Sequence, residues 1–301
     1  MTEEQTKSRR VGGRGRRFVR MIAVTLAIFY LGLATLLFFV QEYMIFPGAR
    51  FQGTEEARIN VAAGAEILTL PLEKGGSIEA YWSGARNADR PVVIVFYGNG
   101  ECARFNLGLA KELGKMGYNV LIPDYPGFGM SPGKPSATGI YASADACYAY
   151  LTGTEHVPPG RIGVIGRSIG GGPAIYLAAK EPIGALVTLS AFRSLTEIAG
   201  NTVHHLFPVS LFIRHRMDNL GRMKDVHCPV FIAHGTKDGL IPFDTAAALA
   251  KATTAPVTMY PVQGAGHNDL YEVGGEEMME AVEGFLARAM PDPGQIKKSP
   301  R

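Results

Sequence analysis

Cysteine is scarce: Cys102, Cys147 and Cys228 are the only ones in a chain of 301 residues. Three thiols so far apart form neither a metal spacing nor a disulfide framework, which leaves them as small buried hydrophobes. The histidines show no HExxH or comparable spacing, so His204, His205 and His215 are not read as ligands and no metal is expected. No glycine-rich nucleotide pattern follows the first strand, and no cofactor is implied. Internal repeats are absent. Charge is sparse as well, at 19% of residues with a formal net charge of +3, and by itself this suggests no nucleic-acid partner.

The positive charge is unevenly placed. Lys7, Arg9, Arg10, Arg14, Arg16, Arg17 and Arg20 crowd the N-terminus, leaving the remainder near neutral or slightly acidic. No aromatic residues interleave with them to stack bases, so a nucleic-acid arm is the weaker use of these arginines. Directly after them, Met21 to Val40 contains no charged residue at all. About 20 apolar residues at helical rise cross roughly 30 Å of hydrocarbon. A secretory signal would have a shorter apolar region ending in small residues, whereas this one ends in Leu36-Leu37-Phe38-Phe39-Val40. The segment therefore reads as an uncleaved anchor. Arg50 and Arg58 are the nearest basic residues after it. The excess of positive charge before the span puts the N-terminus in the cytoplasm and the bulk of the chain on the far side, periplasmic if the source is bacterial. The organisation expected is a disordered basic arm over 1–20, a transmembrane anchor over 21–40, a juxtamembrane connection over 41–65 and a loose tail over 291–301.

What the chain has in quantity is apolar residues, 47% of the total, together with 37 glycines. That suits one sizeable α/β domain over 66–290. Glu66 to Leu72 and Ile78 to Trp82 read as an antiparallel pair across a turn at Glu73-Lys74-Gly75-Gly76. Pro91 to Tyr97, Asn119 to Pro123, Ile162 to Ile165, Ala185 to Leu189, Val230 to Ala233 and Val257 to Tyr260 read as further strands. Helical spacing marks Phe105 to Met116, Ile140 to Leu151, the run from Gly171, Thr245 to Ala252 and Glu277 to Met290. Strands alternating with helices imply a mostly parallel sheet with helices on both faces. Residues 191–227 interrupt the alternation and read as a short lid.

The domain is organised around Gly166-Arg167-Ser168-Ile169-Gly170, where a strand meets a helix. This G-x-S-x-G pattern suits a sharp elbow with no room for side chains two positions to either side of the serine. Ser168 would stand exposed at the tip as a nucleophile, with the Ile169 amide aimed at a developing oxyanion. Such a serine needs an imidazole to take its proton and a carboxylate to hold the imidazole's tautomer, both at the C-terminal ends of strands. Asp238, in His234-Gly235-Thr236-Lys237-Asp238-Gly239, and His267, in Gly264-Ala265-Gly266-His267-Asn268-Asp269, occupy such positions. The chain order is Ser, Asp, His. Other candidates have plainer readings. Asp244 reads as a helix N-cap, and Asp269 is too near His267 in sequence to orient it. Asp124 reads as a local hydrogen-bonding residue in a turn-rich loop, His234 as a packed residue, and Cys102 as packing rather than a rival nucleophile. The second oxyanion donor is expected in Tyr97-Gly98-Asn99-Gly100-Glu101, from Asn99 first and Gly100 next.

With these residues in view, the chain from about residue 60 to 290 resembles the α/β-hydrolase superfamily. It is similar in particular to membrane-anchored serine hydrolases with a small lid, a group that includes protein depalmitoylases and serine aminopeptidase-like proteins. FYGNGE at 96–101, DYPGFGMSPGKPS at 124–136, GRSIGGGPA at 166–174, HGTKDGLIP at 234–242 and GAGHND at 264–269 carry the likeness. The resemblance implies an α/β-hydrolase fold with Ser168, Asp238 and His267 as nucleophile, acid and base. One departure stands out: where the family has His before the glycine of the oxyanion loop, this chain has Tyr97. The expected function is a membrane-anchored serine hydrolase of the carboxylesterase or thioesterase type, acting on a small-molecule or acylated substrate. A peptidase with the same triad and a catalytically silent binding domain tethered to the bilayer are the alternatives.

Overall fold

The computed structural model describes residues 3–60, 65–85, 90–203 and 206–291. Two compact units are distinguished, Met1–Met44 and Ile45–Arg301. The first is dominated by one helix, α1 (Glu3–Ile45). Within it, Arg16–Ile45 includes a window of mean hydropathy 2.4, apolar and long enough to cross a membrane. Most of its side chains are exposed, Ile28 at 66%, Phe29 at 70% and Phe39 at 66%. The basic arm expected to be disordered is instead the first part of α1. Extending a helix that already exists costs far less than nucleating one, and Glu, Gln, Lys and Arg are good helix formers. Residues 45–60, expected as part of a separate connection, belong to the second unit. A 3-10 turn at Pro47–Phe51 seats them there, with the Gly48 amide donating to the Asn99 carbonyl at 2.7 Å and the Gly53 amide to the Gly129 carbonyl at 2.8 Å.

The second unit is built on an eight-stranded sheet. β1 (Ala65–Pro71) and β2 (Ser77–Ser83) form an antiparallel hairpin, and β2 also pairs antiparallel with residues 120–123. Burial alternates along β2, where Ile78, Ala80 and Trp82 face the core, as expected of a strand with one covered face. β3 (Val92–Phe96), β4 (Asn119–Pro123), β5 (Ile162–Arg167), β6 (Ala185–Leu189), β7 (Val230–Gly235) and β8 (Val257–Val262) pair in parallel. Every residue of β3, β4, β6 and β7 is buried, which is why these strands read as unbroken apolar runs.

The helices of this unit are α2 (Leu107–Lys115), α3 (Ala137–Ala149), α4 (Gly171–Lys180), α5 (Leu195–Thr202), α6 (Val209–Phe212), α7 (Asn219–Met223), α8 (Asp244–Ala252) and α9 (Leu270–Ala289). α3 packs on α4, α4 on α7 and α7 on α8, giving one continuous layer, while α9 packs against β6, β7 and β8. The two glycines of β5 show that α4 and α9 cover opposite faces. A Cβ at Gly163 would meet Met290 and Leu286 at the end of α9, whereas one at Gly166 would meet Ala174 of α4. Residues three apart on a strand point to opposite sides. α9 starts at Leu270, earlier than the expected Glu277, and Gly275 breaks it with φ 52° and ψ −149°. The lid segment holds α5, α6 and α7. His204 and His205 lie outside the described residues, as does the expected loose tail beyond Pro291.

The strand order is β1-β2-β4-β3-β5-β6-β7-β8. The chain leaves β3 toward β4 on one side and returns to β5 on the other. Loops after β3 and β5 therefore diverge, and the crevice between their C-terminal ends is where such sheets place ligands.

Candidate active site

Ser168 sits at that crevice, on a 3-10 turn (Ser168–Gly170) linking β5 to α4. Its φ is +51°, a left-handed conformation that costs a non-glycine residue free energy and is tolerated where the surroundings enforce it. The flanking glycines permit the tight turn that holds it. A Cβ on Gly166 would overlap the Gly170 carbonyl and the Ala174 methyl, and one on Gly170 would overlap the Phe96 and Tyr97 carbonyls of the neighbouring strand.

The loop after β8 brings His267 to the serine, with Nε2 2.9 Å from the Ser168 Oγ. That loop is held by the Gly264 amide donating to Thr236 Oγ1 at 2.9 Å and the Lys237 amide donating to the Ala265 carbonyl at 2.8 Å. On its other edge, His267 Nδ1 lies 2.8 Å from Asp238 Oδ2. An ionised carboxylate only accepts, so this contact puts the imidazole proton on Nδ1 and leaves the Nε2 lone pair facing the hydroxyl.

The Asp238 carboxyl is completely buried. Burial alone would push it toward the neutral form. Hydrogen bonds with His234, His267 and the Ile241 amide outweigh that and hold it below the usual carboxylate range. Oδ1 accepts from the Leu240 and Ile241 amides at 3.0 and 2.8 Å. His234, read from the sequence as a packed residue, is buried with Nε2 2.8 Å from the Ile241 carbonyl and 3.4 Å from Asp238 Oδ2. It underpins the same loop that carries the acid.

The loop after β3 is braced from below. Tyr97 donates its hydroxyl proton to Asp124 Oδ1 at 2.9 Å, accepts from the Tyr125 amide at 3.2 Å, and offers its carbonyl to the Tyr125 hydroxyl at 3.1 Å. Asp124 also accepts from the Ala103 and Met130 amides at 2.8 and 3.0 Å. Burial raises its pKa, and these three donors oppose the rise. The phenol that departs from the family pattern is thus a fully buried strut. At the top of the loop, Asn99 Nδ2 donates to the Ile45 carbonyl at 3.3 Å. Among the described residues the backbone amides of Asn99 and Gly100 pair with no backbone carbonyl.

Of the remaining candidates, Asp244 does not cap a helix. It is the first residue of α8, Phe243 precedes it at the cap position, and its carboxylate accepts from Arg193 Nη2 at 2.6 Å. Asp269 accepts from the Gly266 amide at 2.6 Å. His215 packs its ring on Phe46 with centroids 4.9 Å apart. All three cysteines are free and buried, and burial first, then the Asp124 charge, pushes the Cys102 thiol up to about 11. A thiol so protonated is a poor nucleophile near neutrality. Sequence reasoning missed Glu101 and Arg167, an ion pair beside Ser168. An acidic residue closing one loop and a basic residue opening the other was the signal that was there to find.

An eight-stranded, mostly parallel sheet covered by helices on both faces, with a strained serine at a strand-to-helix elbow, defines an α/β-hydrolase. The chain belongs to that family. Residues 91–208 match the model of the alpha/beta hydrolase fold family. An uncharacterized protein of Mycobacterium tuberculosis is 30% identical over 88% of this chain and 94% of its own length. Alpha/beta hydrolase domain-containing protein 17B of Xenopus laevis is 30% identical over 64% of this chain and 63% of its own length. Among solved structures, an esterase of Pyrococcus furiosus superposes with a TM-score of 0.62 at 23% identity, covering 75% of this chain and 90% of the esterase. At that identity the likeness speaks for the fold.

Proposed function

We propose that this protein is a membrane-anchored serine hydrolase that cleaves ester or thioester bonds through an acyl-enzyme intermediate. The observation that carries the reading is the unbroken relay from Ser168 Oγ to His267 Nε2 at 2.9 Å and from His267 Nδ1 to Asp238 Oδ2 at 2.8 Å, with the serine held at positive φ. In this reading Ser168 attacks the substrate carbonyl while His267 takes its proton. The resulting oxyanion is met by the amides of Asn99 or Gly100 and of Ile169. His267 then protonates the leaving group, and water attacks the acyl-serine by the same route in reverse. Asp238 keeps the imidazole in the required tautomer and stabilises its charged form. Ser168→Ala should lower turnover of a short p-nitrophenyl ester by about 10⁴-fold or more. Hydrolysis at the unaltered rate would overturn the assignment.

An acylated substrate is favoured over a peptide because the lid presents apolar surface, with Leu206 69% and Leu211 77% exposed. A series of p-nitrophenyl esters should be cleaved better as the acyl chain lengthens beyond acetate, and a flat series would refute the preference. For the anchor, the support is the composition and exposure of the α1 side chains. The excess of basic residues before the span (Lys7, Arg9, Arg10, Arg14, Arg16, Arg17 and Arg20) over Arg50 and Arg58 after it supports, by the positive-inside rule, a cytoplasmic N-terminus with the catalytic unit on the far side.

A further inference from the structure

The proposed chemistry does not use the charged pair that flanks its nucleophile. Arg167 is the last residue of β5 and directly precedes Ser168. Its Nη1 forms a close ion pair with Oε1 of Glu101, the last residue of the Tyr97–Glu101 loop. Both side chains are largely shielded, at 17% and 21% exposure. The other carboxylate oxygen of Glu101 accepts from Asn106 Nδ2 at 3.0 Å, and the Arg167 guanidinium lies over the Tyr271 ring, 5.6 Å from its centroid. Tyr271 lies in the first turn of α9, four residues after His267. A Cβ on Gly98 would lie 3.4 Å from Glu101 Oε1 and 3.9 Å from the Ser168 Cβ, so carboxylate, loop and nucleophile meet around one point.

An oxyanion hole made from two chain segments works only if the segments keep a fixed separation, and a displacement of about 1 Å can cost on the order of 10²-fold in rate. Here the two segments are the ends of β3 and β5. Their ladder stops at the pairing of Phe96 with Gly166. Past that rung, no backbone hydrogen bond among the described residues joins 97–101 to 167–170. The side-chain pair spans this gap. We infer that Glu101 and Arg167 are positioning residues that lock the oxyanion loop to the nucleophile elbow, with Arg167 also cancelling a carboxylate that would otherwise face the developing oxyanion. This rests on the proposed role of Ser168.

The two functions predict an asymmetry. Loss of Glu101 removes the lock but no unpaired carboxylate remains. Loss of Arg167 removes the lock and leaves a shielded negative charge beside the reaction centre, an arrangement that opposes charge build-up on the substrate oxygen.

The test uses the full-length protein in detergent, with Arg167→Met, Glu101→Gln and the double variant compared for ester hydrolysis and for affinity toward an alkyl boronic acid, which forms a tetrahedral adduct on the serine. Arg167→Met should lose about 10²-fold in kcat with KM little changed, and lose boronate affinity in parallel. Glu101→Gln should lose about tenfold, and the double variant should recover part of what Arg167→Met lost, since removing both charges leaves no unpaired group. Wild-type kcat in folded Glu101→Gln and Arg167→Met would overturn the inference, as would a loss confined to KM or a double variant worse than Arg167→Met. Should Arg167→Met not fold, the near-isosteric Glu101→Gln decides by the same kcat and boronate criteria. Failure of the underlying reading would look different: wild-type protein inert toward ester and boronate alike.

Discussion

Ser168, His267 and Asp238 are joined by two hydrogen bonds, and each link fixes what the next atom can do. Because the Asp238 carboxyl is buried with both oxygens engaged, Asp238→Asn would present an amide where only an acceptor serves, and the imidazole would be turned toward the wrong tautomer. Turnover should fall about 10⁴-fold with little change in KM, read by steady-state ester hydrolysis. The same residue makes a stability prediction. Its folded pKa lies below the unfolded value of about 3.9, so the stability it contributes is complete above that range and is lost as pH falls through the folded value. Melting temperature followed from neutral to acid pH should drop less steeply in Asp238→Asn than in wild type. At this scale the three residues were legible in the sequence, because glycines around Ser168 and strand ends before Asp238 and His267 are local signals. Tyr97 was not. Its partner Asp124 lies 27 residues away, and only the parallel pairing of β3 with β4 brings the two loops together.

The elbow is where an element, rather than a residue, determines reactivity. Its geometry depends on α4 starting close against β3, and the missing side chain at Gly170 permits that approach. Gly170→Ala would drive a methyl into the Phe96 and Tyr97 carbonyls, backbone atoms that cannot swing away. Overpacking of this kind costs about 1–3 kcal/mol or more, and the melting temperature should fall accordingly. A melting temperature equal to wild type would mean that the elbow is looser than described. Strands β4 and β6 were legible to the residue, since apolar runs bounded by turn residues have few alternatives. α9 was less so: helical spacing was read only from Glu277 to Met290, whereas the helix starts at Leu270 and resumes helical geometry after one non-helical residue, Gly275. The α1 arm was misread for a related reason. Composition describes a segment in isolation, and it does not report the helix already formed next to it.

For the whole molecule, the chain order of the site and the alternation of strands with helices were enough to read an α/β-hydrolase, because both follow from topology that leaves a linear trace. How the two units divide was harder to see. Residues 45–60 look like a linker in composition, yet they are tied by backbone hydrogen bonds to Asn99 and Gly129, so the compact unit starts at Ile45. If α1 spans a bilayer, the full-length chain should stay with membranes through alkaline carbonate extraction and leave them only in detergent. Release by carbonate would contradict the anchor without touching the chemistry. That chemistry is tested most directly by reacting the detergent-solubilised protein with a fluorophosphonate and locating the adduct by peptide mass spectrometry. The account predicts a single phosphonylated site, Ser168, lost in Ser168→Ala and strongly slowed in His267→Ala. A folded wild-type protein that takes no label, or takes it at a residue other than Ser168, would contradict it.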